Sequence, residues 1–414
     1  MERRLPACES EYKEKCEYTQ AGSLRSGVMT APTINNPRAE IDAIDGELLR
    51  LLNKRAEIAL RVGAAKTNDE RSLCDPNRER EVLARLRQEN TGPFDEHSID
   101  NIFQRIIDES LGLQQKTYLK PFENSDTSPT EVVKLTGKSR VAFLGDRGTF
   151  SEEAALGILG DECVTVSFPT FEDLFTAIDA GKADLILAPL ENSLIGSVHR
   201  CVDLLLDSSL HIIADVVLPV SHYLVACQDA TMETIQTVES HPAALAQCRR
   251  FFAAYPHLKS VPADDTAGSV RRAVESGDVT RAGIGGRRAA EIYGGKILRE
   301  HLEDNGENYT RFALLSAKPN EESSGSKISV VIQLRNQAGA LHGALRPLVR
   351  RNIDIAKIES LPIRNSPGQF NFYLDINVPN IEGDLTGALT EISEQTEGVR
   401  FLGRYSTTRL GSVA

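Results

Sequence analysis

Two cationic residues occupy a helical pattern where apolar side chains are expected. Apolar residues recur every three or four positions, at 41, 44, 48, 51, 58, 62 and 65, and the same stripe passes through Arg55. Lys66 follows eleven residues later, on nearly the same helix face and about 16 Å along the axis. A guanidinium in a packed seam is costly unless an anion meets it. Arg55 and Lys66 are therefore suited to bind the two ends of a small dianion.

Arg38 has the same charge but a different place on the helix. It precedes Arg55 by 17 residues, so it lies about 25 Å up a straight helix and is rotated by about 100°. One helix cannot bring both guanidinium groups to the same small ligand. If Arg38 joins this site, a second copy of the chain must provide it.

Further polar residues lie where the interior of a small helical bundle is expected. Ser110 and Gln114 continue the apolar face of a third predicted helix. The start of a second helix supplies Asp75, Arg78 and Glu79. Any one of these residues is explained by a local ion pair or a backbone hydrogen bond. The convergence of all of them on one bundle interior favours an anion-binding site.

Four polar motifs in the middle of the chain lie at the ends of predicted strands. They are Gly145-Asp146-Arg147-Gly148-Thr149-Phe150-Ser151, Pro189-Leu190-Glu191-Asn192-Ser193, Ser240-His241-Pro242 with Gln247, and Asn308-Tyr309-Thr310-Arg311-Phe312. The first motif follows a strand and opens a helix, so its N–H groups and hydroxyls suit an anion, although a plain strand-to-helix turn has the same pattern. Because ligands bind at strand ends of α/β sheets, these motifs predict a second site.

Two polar stretches, 117–139 and 317–327, are predicted linkers that leave three blocks at about 33–116, 140–316 and 328–405. The first block predicts one helix over 38–67, about 45 Å long. A second helix opens at the Asp75-Pro76 cap and runs through Leu86, and a third runs to about Gln115. Two shorter helices cannot cover so long an apolar stripe, so a partner chain is expected.

The other two blocks mix strands and helices. Short β-rich runs at 141–144, 185–188, 212–220, 223–227, 282–284 and 312–316 alternate with helical patterns and predict an α/β sheet. The last block reads strand 328–334, helix 338–351, strands 353–363 and 369–378, helix 383–396 and strand 399–405. This βαββαβ order is typical of a ferredoxin-like α+β module.

Composition excludes several classes of protein. The chain has 414 residues, with 47 Lys+Arg against 59 Asp+Glu, so the formal net charge is −12. This balance argues against a nucleic-acid partner, and no run reaches the roughly 18 apolar residues of a membrane helix. Seven scattered cysteines without a C-x-x-C pair predict reduced thiols in the cytoplasm. Residues 1–32 are a predicted unstructured extension without a signal-peptide core, and Met1 and Met29 both stay open as the start.

The first block resembles the all-helical chorismate mutases. The matching pattern is Asp42-x-x-Asp45-x-x-Leu48-Leu49-x-Leu51-Leu52-x-x-Arg55, Val62-Gly63-x-x-Lys66, Asp75-x-x-Arg78-Glu79 and Ser110-x-x-x-Gln114. The resemblance implies the rearrangement of chorismate to prephenate, without cofactor, metal or general base. It implies that Lys66 and Gln114 face the ether oxygen and that Glu79 orients the ring hydroxyl. It further implies carboxylate contacts from Arg55 and from Arg38 of the partner subunit, and substrate contacts from Asp75, Arg78 and Ser110.

The middle block resembles prephenate dehydratase over about residues 140–316. The motifs GxxGTFSE, PxENS, SHP and TRF occur in order, with Leu190 where Ile is common. The resemblance implies a two-lobed fold like that of periplasmic binding proteins, and conversion of prephenate to phenylpyruvate with loss of CO₂ and water. It implies that Thr310 donates toward the leaving hydroxyl and that Arg311 clamps a carboxylate. The other substrate-binding residues that it implies are Thr149, Ser151, Glu191, Asn192, Ser193, Ser240, His241 and Gln247, with His241 or Glu191 as a candidate proton source.

The last block resembles the amino-acid-binding ACT module. Gly339-Ala340-Leu341 lies at its first strand-to-helix turn, and Glu359-Ser360-Leu361-Pro362 on its second strand. His342 and Leu361 depart from the usual pattern, since Leu361 stands where the family has Arg. The resemblance implies L-phenylalanine as effector, bound by Gly339, Ala340, Leu341, Glu359 and Ser360. A dimerisation module without a ligand is the alternative.

These resemblances predict a multidomain, bifunctional enzyme of phenylalanine synthesis with chorismate and prephenate as substrates. They imply a homodimer or higher homo-oligomer with a shared mutase site, and no nucleic-acid or membrane partner. Two other interpretations stay open: a dehydratase whose helical block is only a dimerisation arm, and a non-catalytic sensor of amino or aromatic acids. Arogenate in place of prephenate is a narrower alternative.

Overall fold

The computed structural model describes residues 35–69, 71–118, 139–320, 324–363, 366, 369–379 and 382–411. The predicted extension 1–32, with both candidate start positions, lies outside the described residues. Most of the first predicted linker and residues 321–323 of the second lie outside them as well. The described residues fall into two compact units that divide after Glu57.

Helix α1 (Asn35–Asn68) begins in the first unit and confirms the predicted long helix. Of this unit the structure describes residues 35–57, and their apolar stripe is exposed. Ile41 and Ile44 are 55% and 59% exposed, and Leu48 and Leu51 are exposed as well. Apolar side chains at this spacing normally pack in a seam between helices. Within residues 35–57, a single copy of the chain leaves that seam uncovered.

The second unit contains the end of α1 and the helices α2 (Pro76–Glu89) and α3 (Glu96–Tyr118). Asp75 caps α2 as predicted, because its carboxylate accepts from the Arg78 N–H at 3.1 Å. Helix α3 runs through Tyr118, two residues into the predicted linker. Gly63 allows α1 to pack closely on α3, since a Cβ there would lie 3.0 Å from Gln114 Cγ.

The middle of the chain alternates strands and helices, which confirms the predicted α/β class. Its elements are β1 (Arg140–Leu144), α4 (Phe150–Leu159), β2 (Val164–Phe168), α5 (Phe171–Phe175), β3 (Leu185–Asn192), β4 (Gly196–Ser197), α6 (His199–Asp207), β5 (His211–Pro219), β6 (Tyr223–Ala226), β7 (Thr237–Ser240), α7 (Pro242–Gln247), α8 (Arg249–Ala254), β8 (Lys259–Pro262), α9 (Thr266–Glu275), β9 (Arg281–Gly285), α10 (Arg287–Tyr293), β10 (Lys296–Arg299) and β11 (Tyr309–Ser316).

These strands form two sheets, and each sheet is the centre of one lobe. The first has the order β5-β11-β3-β1-β2, with β4 beside β3. The second has the order β10-β6-β9-β7-β8. The chain crosses between the sheets after β5 and again before β11, so the two lobes share two crossing segments. Such crossings place the loops of both lobes next to each other.

The C-terminal segment has the predicted βαββαβ order. Its elements are β12 (Lys327–Gln333), α11 (Ala340–Arg350), β13 (Ile355–Pro362), β14 (Phe370–Asn377), α12 (Glu382–Gln395) and β15 (Gly398–Tyr405). The strands form one antiparallel sheet in the order β13-β14-β12-β15. Apolar side chains of both helices pack against this sheet.

A last strand, β16 (Thr407–Arg409), joins the C-terminal segment to the first sheet of the middle segment. It pairs parallel to β5 and was not predicted from the sequence. Leu402 and Tyr405 are buried in one apolar cluster with Ile186 and Ala313 of the first sheet. Leu361 lies in the same cluster and is only 3% exposed. An apolar side chain at this position therefore matches its apolar surroundings.

Candidate active sites

Three residues predicted for the first site lie around the junction of α1, α2 and α3. The Lys66 ammonium donates to the Leu73 carbonyl at 2.9 Å and lies 3.8 Å from the Asp75 carboxylate. Gln114 is buried, and its amide donates to the Ala59 carbonyl. Lys66 thus points toward the start of α2 and not into bulk solvent.

Glu79 lies in the first turn of α2 and has an ion-pair partner that the sequence did not predict. It is 14% exposed and pairs with Arg350, the last residue of α11. Arg350 also lies 3.1 Å from the Asp108 carboxylate of α3. Arg78, in contrast, is exposed and donates to Glu81 at 2.8 Å. Of these two adjacent candidates, only Glu79 is enclosed by protein.

The remaining candidates of the first site differ from one another in their surroundings; they are Ser110, Arg55 and Arg38. The Ser110 hydroxyl donates to the Ile106 carbonyl at 2.8 Å, so the internal bond of the simpler interpretation is present. Arg55 is half-buried, and this burial lowers the pKa of its guanidinium. Arg38 is exposed on the first unit. Their roles in substrate binding stay predictions.

The second site is centred on a hydrogen-bond network between β3 and β11. The Asn192 amide donates to the Thr310 hydroxyl at 3.0 Å and to the Asn308 side chain at 2.8 Å. The Ser193 hydroxyl accepts from the Tyr309 N–H at 2.9 Å. The structure therefore brings three predicted residues, Asn192, Ser193 and Thr310, together.

The network continues into the second lobe through Gln247. Its side-chain oxygen lies 3.0 Å from Asn308 Nδ2 and 2.8 Å from His222 Nε2. Burial lowers the pKa of His222, although Gln247 and Glu303 partly oppose this effect, so the ring is neutral at pH 7. Sequence analysis placed Asn308 in a motif but gave it no role, and it missed His222. The position of Asn308 two residues before Thr310 was the signal for its role.

Two cavities lie beside the crossing segments. One of about 430 Å³ is lined by Leu194, Ile195, Ala243, Ala246, Gln247, Arg249, Asp304 and Asn305. The other, of about 370 Å³, is lined by Phe150, Glu153, Pro219, Val220, Ser221, Tyr223, Arg287, His301, Glu303 and Gly306. The N–H groups of Leu194 and Ile195 donate to Asn192 Oδ1, which joins the first of these cavities to the Thr310 network.

The turn at 145–151 uses several of its own N–H groups internally. Gly148 N–H donates to Glu152, a buried carboxylate of the same motif, at 2.7 Å. The N–H groups of Gly145, Asp146 and Thr149 also have acceptors within the protein. These groups are therefore not available as the predicted anion cradle. Thr149 and Ser151 are buried at the start of α4.

The hydrogen bonds of Ser240 and His241 described here go to partners outside the Thr310 network. Ser240 is fully buried and donates to the Ile284 carbonyl at 2.7 Å, within the second sheet. The His241 ring accepts from the Ala243 N–H at 3.2 Å and caps α7. Burial lowers the pKa of His241, although nearby Asp265 and Asp264 oppose this effect. The structure thus connects His222, and not His241, to Thr310.

The structure does not favour the expectation that Arg311 clamps a substrate carboxylate. Arg311 is buried and pairs with Asp215 at 2.6 Å and with Asp375 of β14. It also donates to the Tyr405 hydroxyl at 2.9 Å. Burial alone would raise the pKa of Asp375, but the charge of Arg311 outweighs it and holds that pKa below its usual range. Because successive strand residues face opposite sides, Arg311 points away from Thr310 and joins two sheets.

A second contact joins the middle segment to the C-terminal segment, and it includes the predicted residues Glu191 and Glu359. Lys357 of β13 lies 2.8 Å from the Glu191 carboxylate and 3.3 Å from Glu359. Ser197 donates to Glu359 at 2.6 Å. Glu359 therefore faces the middle segment in this structure, which does not favour it as an effector ligand.

The other predicted effector residues lie near the start of α11 and on β13. Gly339 is the N-cap of α11 with a positive φ of 84°, a conformation that favours glycine. Gly339 and Ser360 are exposed, while Ala340 and Leu341 are half-buried. The turn geometry leaves this region open to solvent.

Two further findings concern the part of the chain that the structure describes. It contains no cluster of three or more His, Cys, Asp or Glu residues that could hold a metal ion. None of its helices is both long and apolar enough to cross a membrane.

Comparisons with known proteins give the same division. The Prephenate dehydratase family matches residues 141–320, and the Chorismate mutase type II family matches residues 37–115. A bifunctional chorismate mutase/prephenate dehydratase from Neisseria gonorrhoeae is 33% identical over 374 residues, covering 90% of this chain and 97% of that protein.

Two solved structures are similar in fold to about two thirds of this chain. A prephenate dehydratase from Arthrobacter aurescens in complex with L-Phe has 28% identity and a TM-score of 0.59, covering 64% of this chain and 90% of that one. A structure described as GqqA, a quorum quenching acylase, has 28% identity and a TM-score of 0.59, covering 65% and 98%.

A helical bundle with enclosed polar side chains and a two-lobed α/β segment define a multidomain enzyme. The helical part is a chorismate mutase domain, and the two-lobed part is a prephenate dehydratase domain like periplasmic binding proteins. The chain belongs to the bifunctional chorismate mutase/prephenate dehydratase family.

Proposed function

We propose that this chain catalyses two consecutive reactions of L-phenylalanine biosynthesis. Its mutase domain rearranges chorismate to prephenate, and its dehydratase domain converts prephenate to phenylpyruvate with loss of CO₂ and water. One observation carries the proposal: a bifunctional relative aligns with this chain over 97% of that relative's length. The proposed domain bounds are 33–116, 140–316 and 328–405.

The mutase reaction requires positioning and electrostatics more than proton transfer. It is pericyclic, so the protein holds a compact conformer and places positive charge beside the breaking C–O bond. In this proposal Lys66 and Gln114 face the ether oxygen, and Glu79 accepts from the ring hydroxyl. The enclosed positions of Lys66, Glu79 and Gln114 support these roles.

The proposed mutase site requires a second chain. Arg38 lies on the exposed first unit, where Ile41, Ile44, Leu48 and Leu51 are uncovered in a single copy. Burial of such a stripe against the same stripe of a partner would stabilise a dimer by about 25 cal/mol for each Å² of apolar surface. We propose a homodimer or higher homo-oligomer in which Arg38 of the partner subunit completes the site.

In the dehydratase site, Thr310 is the proposed donor to the leaving hydroxyl. Asn192 donates to Thr310 Oγ1 at 3.0 Å, so the Thr310 proton is directed to another acceptor. A serine or threonine hydroxyl is a weak acid, and here it acts as a hydrogen-bond donor to the departing hydroxide. The chain Asn308–Gln247–His222 holds Asn192 in place.

We propose that the C-terminal segment is an ACT domain with L-phenylalanine as effector. Its βαββαβ topology and the open turn at Gly339 support this assignment. The matched dehydratase structure was solved with L-Phe. The proposed effector residues are Gly339, Ala340, Leu341 and Ser360, whereas Glu359 contacts Ser197 and Lys357. The location in the cytoplasm stays a prediction from the cysteine pattern.

An acylase activity is the second candidate. The acylase and dehydratase structures match this chain with equal TM-scores, so the fold does not separate the two activities. The bifunctional relative, which aligns across both domains, favours the dehydratase.

The deciding experiment gives chorismate to the purified protein and follows prephenate and phenylpyruvate separately, with and without L-phenylalanine. We expect prephenate to appear first and phenylpyruvate to follow. Phenylpyruvate from added prephenate, but no conversion of chorismate, would leave the helical domain as a dimerisation arm. Binding of prephenate without turnover would identify a sensor instead.

A further inference from the structure

The last turn of α11 reaches helix α2, which carries the proposed mutase residues Arg78 and Glu79. Arg350 ends α11 in the C-terminal segment, and its guanidinium donates to Glu79 Oε2 on α2. The two residues are 271 positions apart in the chain. The C-terminal segment therefore contacts a carboxylate of the proposed mutase site directly.

This ion pair is enclosed by protein on both sides. The side chains of Arg350 and Glu79 are 12% and 14% exposed. A carboxylate so far removed from water needs a charged or hydrogen-bonding partner, because its desolvation is otherwise uncompensated. Burial opposes the charge of Arg350, but Glu79 outweighs it and raises the pKa of Arg350. The pair is thus a fixed feature of the site wall and not a surface contact.

Neighbouring contacts hold Arg350 in place. Its guanidinium lies 3.1 Å from Asp108 of α3, and Arg346, one helical turn earlier, lies 2.6 Å from the same carboxylate. Gln115 donates to the Arg350 carbonyl. Cys74, directly before the Asp75 cap, is buried beside Arg350. The end of α11 therefore packs against both α2 and α3.

We propose that Arg350 is a positioning residue for the mutase reaction. It holds Glu79 by one carboxylate oxygen, Oε2, so that Oε1 accepts from the ring hydroxyl of chorismate. This inference rests on the role proposed above for Glu79. It assigns the C-terminal segment a part in the geometry of the mutase site, in addition to any effector binding.

The effect on KM and kcat depends on the stage at which Glu79 contacts the ring hydroxyl. The ring hydroxyl is present in the substrate and in the transition state, so a misplaced Glu79 weakens both complexes. Such a loss raises KM more than it lowers kcat. A general loosening of the domain contact would instead affect variants of Arg346 and Arg350 alike.

The test compares Arg350→Gln, Arg350→Lys and the matched control Arg346→Gln in the full chain. We expect Arg350→Gln to lower kcat/KM for chorismate about tenfold, chiefly through KM. Arg350→Lys restores part of the loss because it keeps the charge. Arg346→Gln stays within about twofold of the parent enzyme. All three keep the parent rate with prephenate, which reports that each chain is folded.

Two results would overturn the proposal: an unchanged or higher mutase rate in Arg350→Gln, or equal losses in Arg346→Gln and Arg350→Gln. The variant Glu79→Gln distinguishes two cases: a wrong role for Arg350 alone, and a wrong role for Glu79 in the mutase site. If Glu79→Gln alone leaves the mutase rate unchanged, the proposed role of Glu79 is wrong. If it lowers the rate, addition of Arg350→Gln has no further effect under the proposal, and an additive loss contradicts it.

Discussion

Asn192 and Thr310 face each other across two neighbouring antiparallel strands. Thr310 of β11 pairs in register with Asn192 of β3, and Asn192 Nδ2 donates to Thr310 Oγ1 at 3.0 Å. Because the hydroxyl oxygen already accepts this bond, its own proton is directed elsewhere. The backbone register thus sets the direction in which Thr310 donates.

Removal of the Thr310 hydroxyl should therefore separate the two activities. We expect Thr310→Ala to lower dehydratase kcat by about 100-fold. This factor is at the lower end of the rate losses seen when a proton-transferring group is removed. Mutase turnover in the same protein should be unchanged. Phenylpyruvate formation from prephenate and prephenate formation from chorismate provide the two readings. Thr310→Ser keeps the hydroxyl and should retain most of the activity; undiminished dehydration in Thr310→Ala would contradict the assignment.

Buried His222 should make stability depend on pH. Burial lowers its pKa below the ordinary 6.5, so below that pH the unfolded chain binds a proton more readily than the folded chain. The contribution of neutral His222 is present above pH 6.5 and is lost as the pH falls. Urea unfolding at pH 7.5 and 5.5 should show a smaller pH effect in His222→Gln than in the parent. His257→Gln, at an exposed position, is the control, and equal pH effects in both variants would refute the prediction.

Arg311 should matter for stability and not for substrate affinity. Its removal leaves the buried carboxylates of Asp215 and Asp375 without their main counter-charge. We expect Arg311→Ala to lower the free energy of unfolding by about 3–5 kcal/mol, as for other broken buried pairs. Thermal denaturation measures this loss. At a temperature where the variant is folded, its KM for prephenate should equal that of the parent, and a large rise in KM would restore the carboxylate-clamp interpretation.

The exposed stripe of α1 should control mutase activity through association. Leu48 is exposed in one copy of the chain, and Leu48→Glu would place charges in the proposed seam between copies. We expect mutase activity to fall at least tenfold and to become dependent on protein concentration, because the partner's Arg38 is lost. Arg50→Glu, about 200° around the helix from Leu48, is the control. Full activity of Leu48→Glu at nanomolar concentration would argue against a shared site.

Local patterns were enough to predict the three N-terminal helices, the α/β class of the middle segment and the C-terminal elements up to β15. The 3–4 spacing from Ile41 to Ala65 predicted α1, and the Asp75-Pro76 cap predicted the start of α2. The C-terminal βαββαβ order was also predicted, because each of its strands has its own apolar run. Missed strands are β2, β4, β7, β8 and β10 of the middle segment, and β16. Strand β16 has only three residues, which carry no pattern, and its partner β5 lies about 190 positions earlier.

The candidate site residues were predicted from the sequence, but their partners were not. Residue type, spacing and the family resemblance predicted Lys66, Glu79, Asn192 and Thr310 as candidate site residues. The partners of these residues come from distant positions: Arg350 meets Glu79, and Gln247 meets Asn308. Arg311 differs from these residues. It belongs to a predicted motif, but in the structure it forms ion pairs with carboxylates of other strands.

The sequence by itself determined the helices, most of the strands, the candidate site residues and the family, because these depend on neighbouring residues and on side-chain chemistry. Only the tertiary structure decided which charges neutralise one another. An ion pair depends on a few ångströms between side chains, and packing of whole sheets and helices sets that distance. The tertiary structure therefore decided two sets of ion pairs: Arg350 with Glu79, and Arg311 with Asp215 and Asp375.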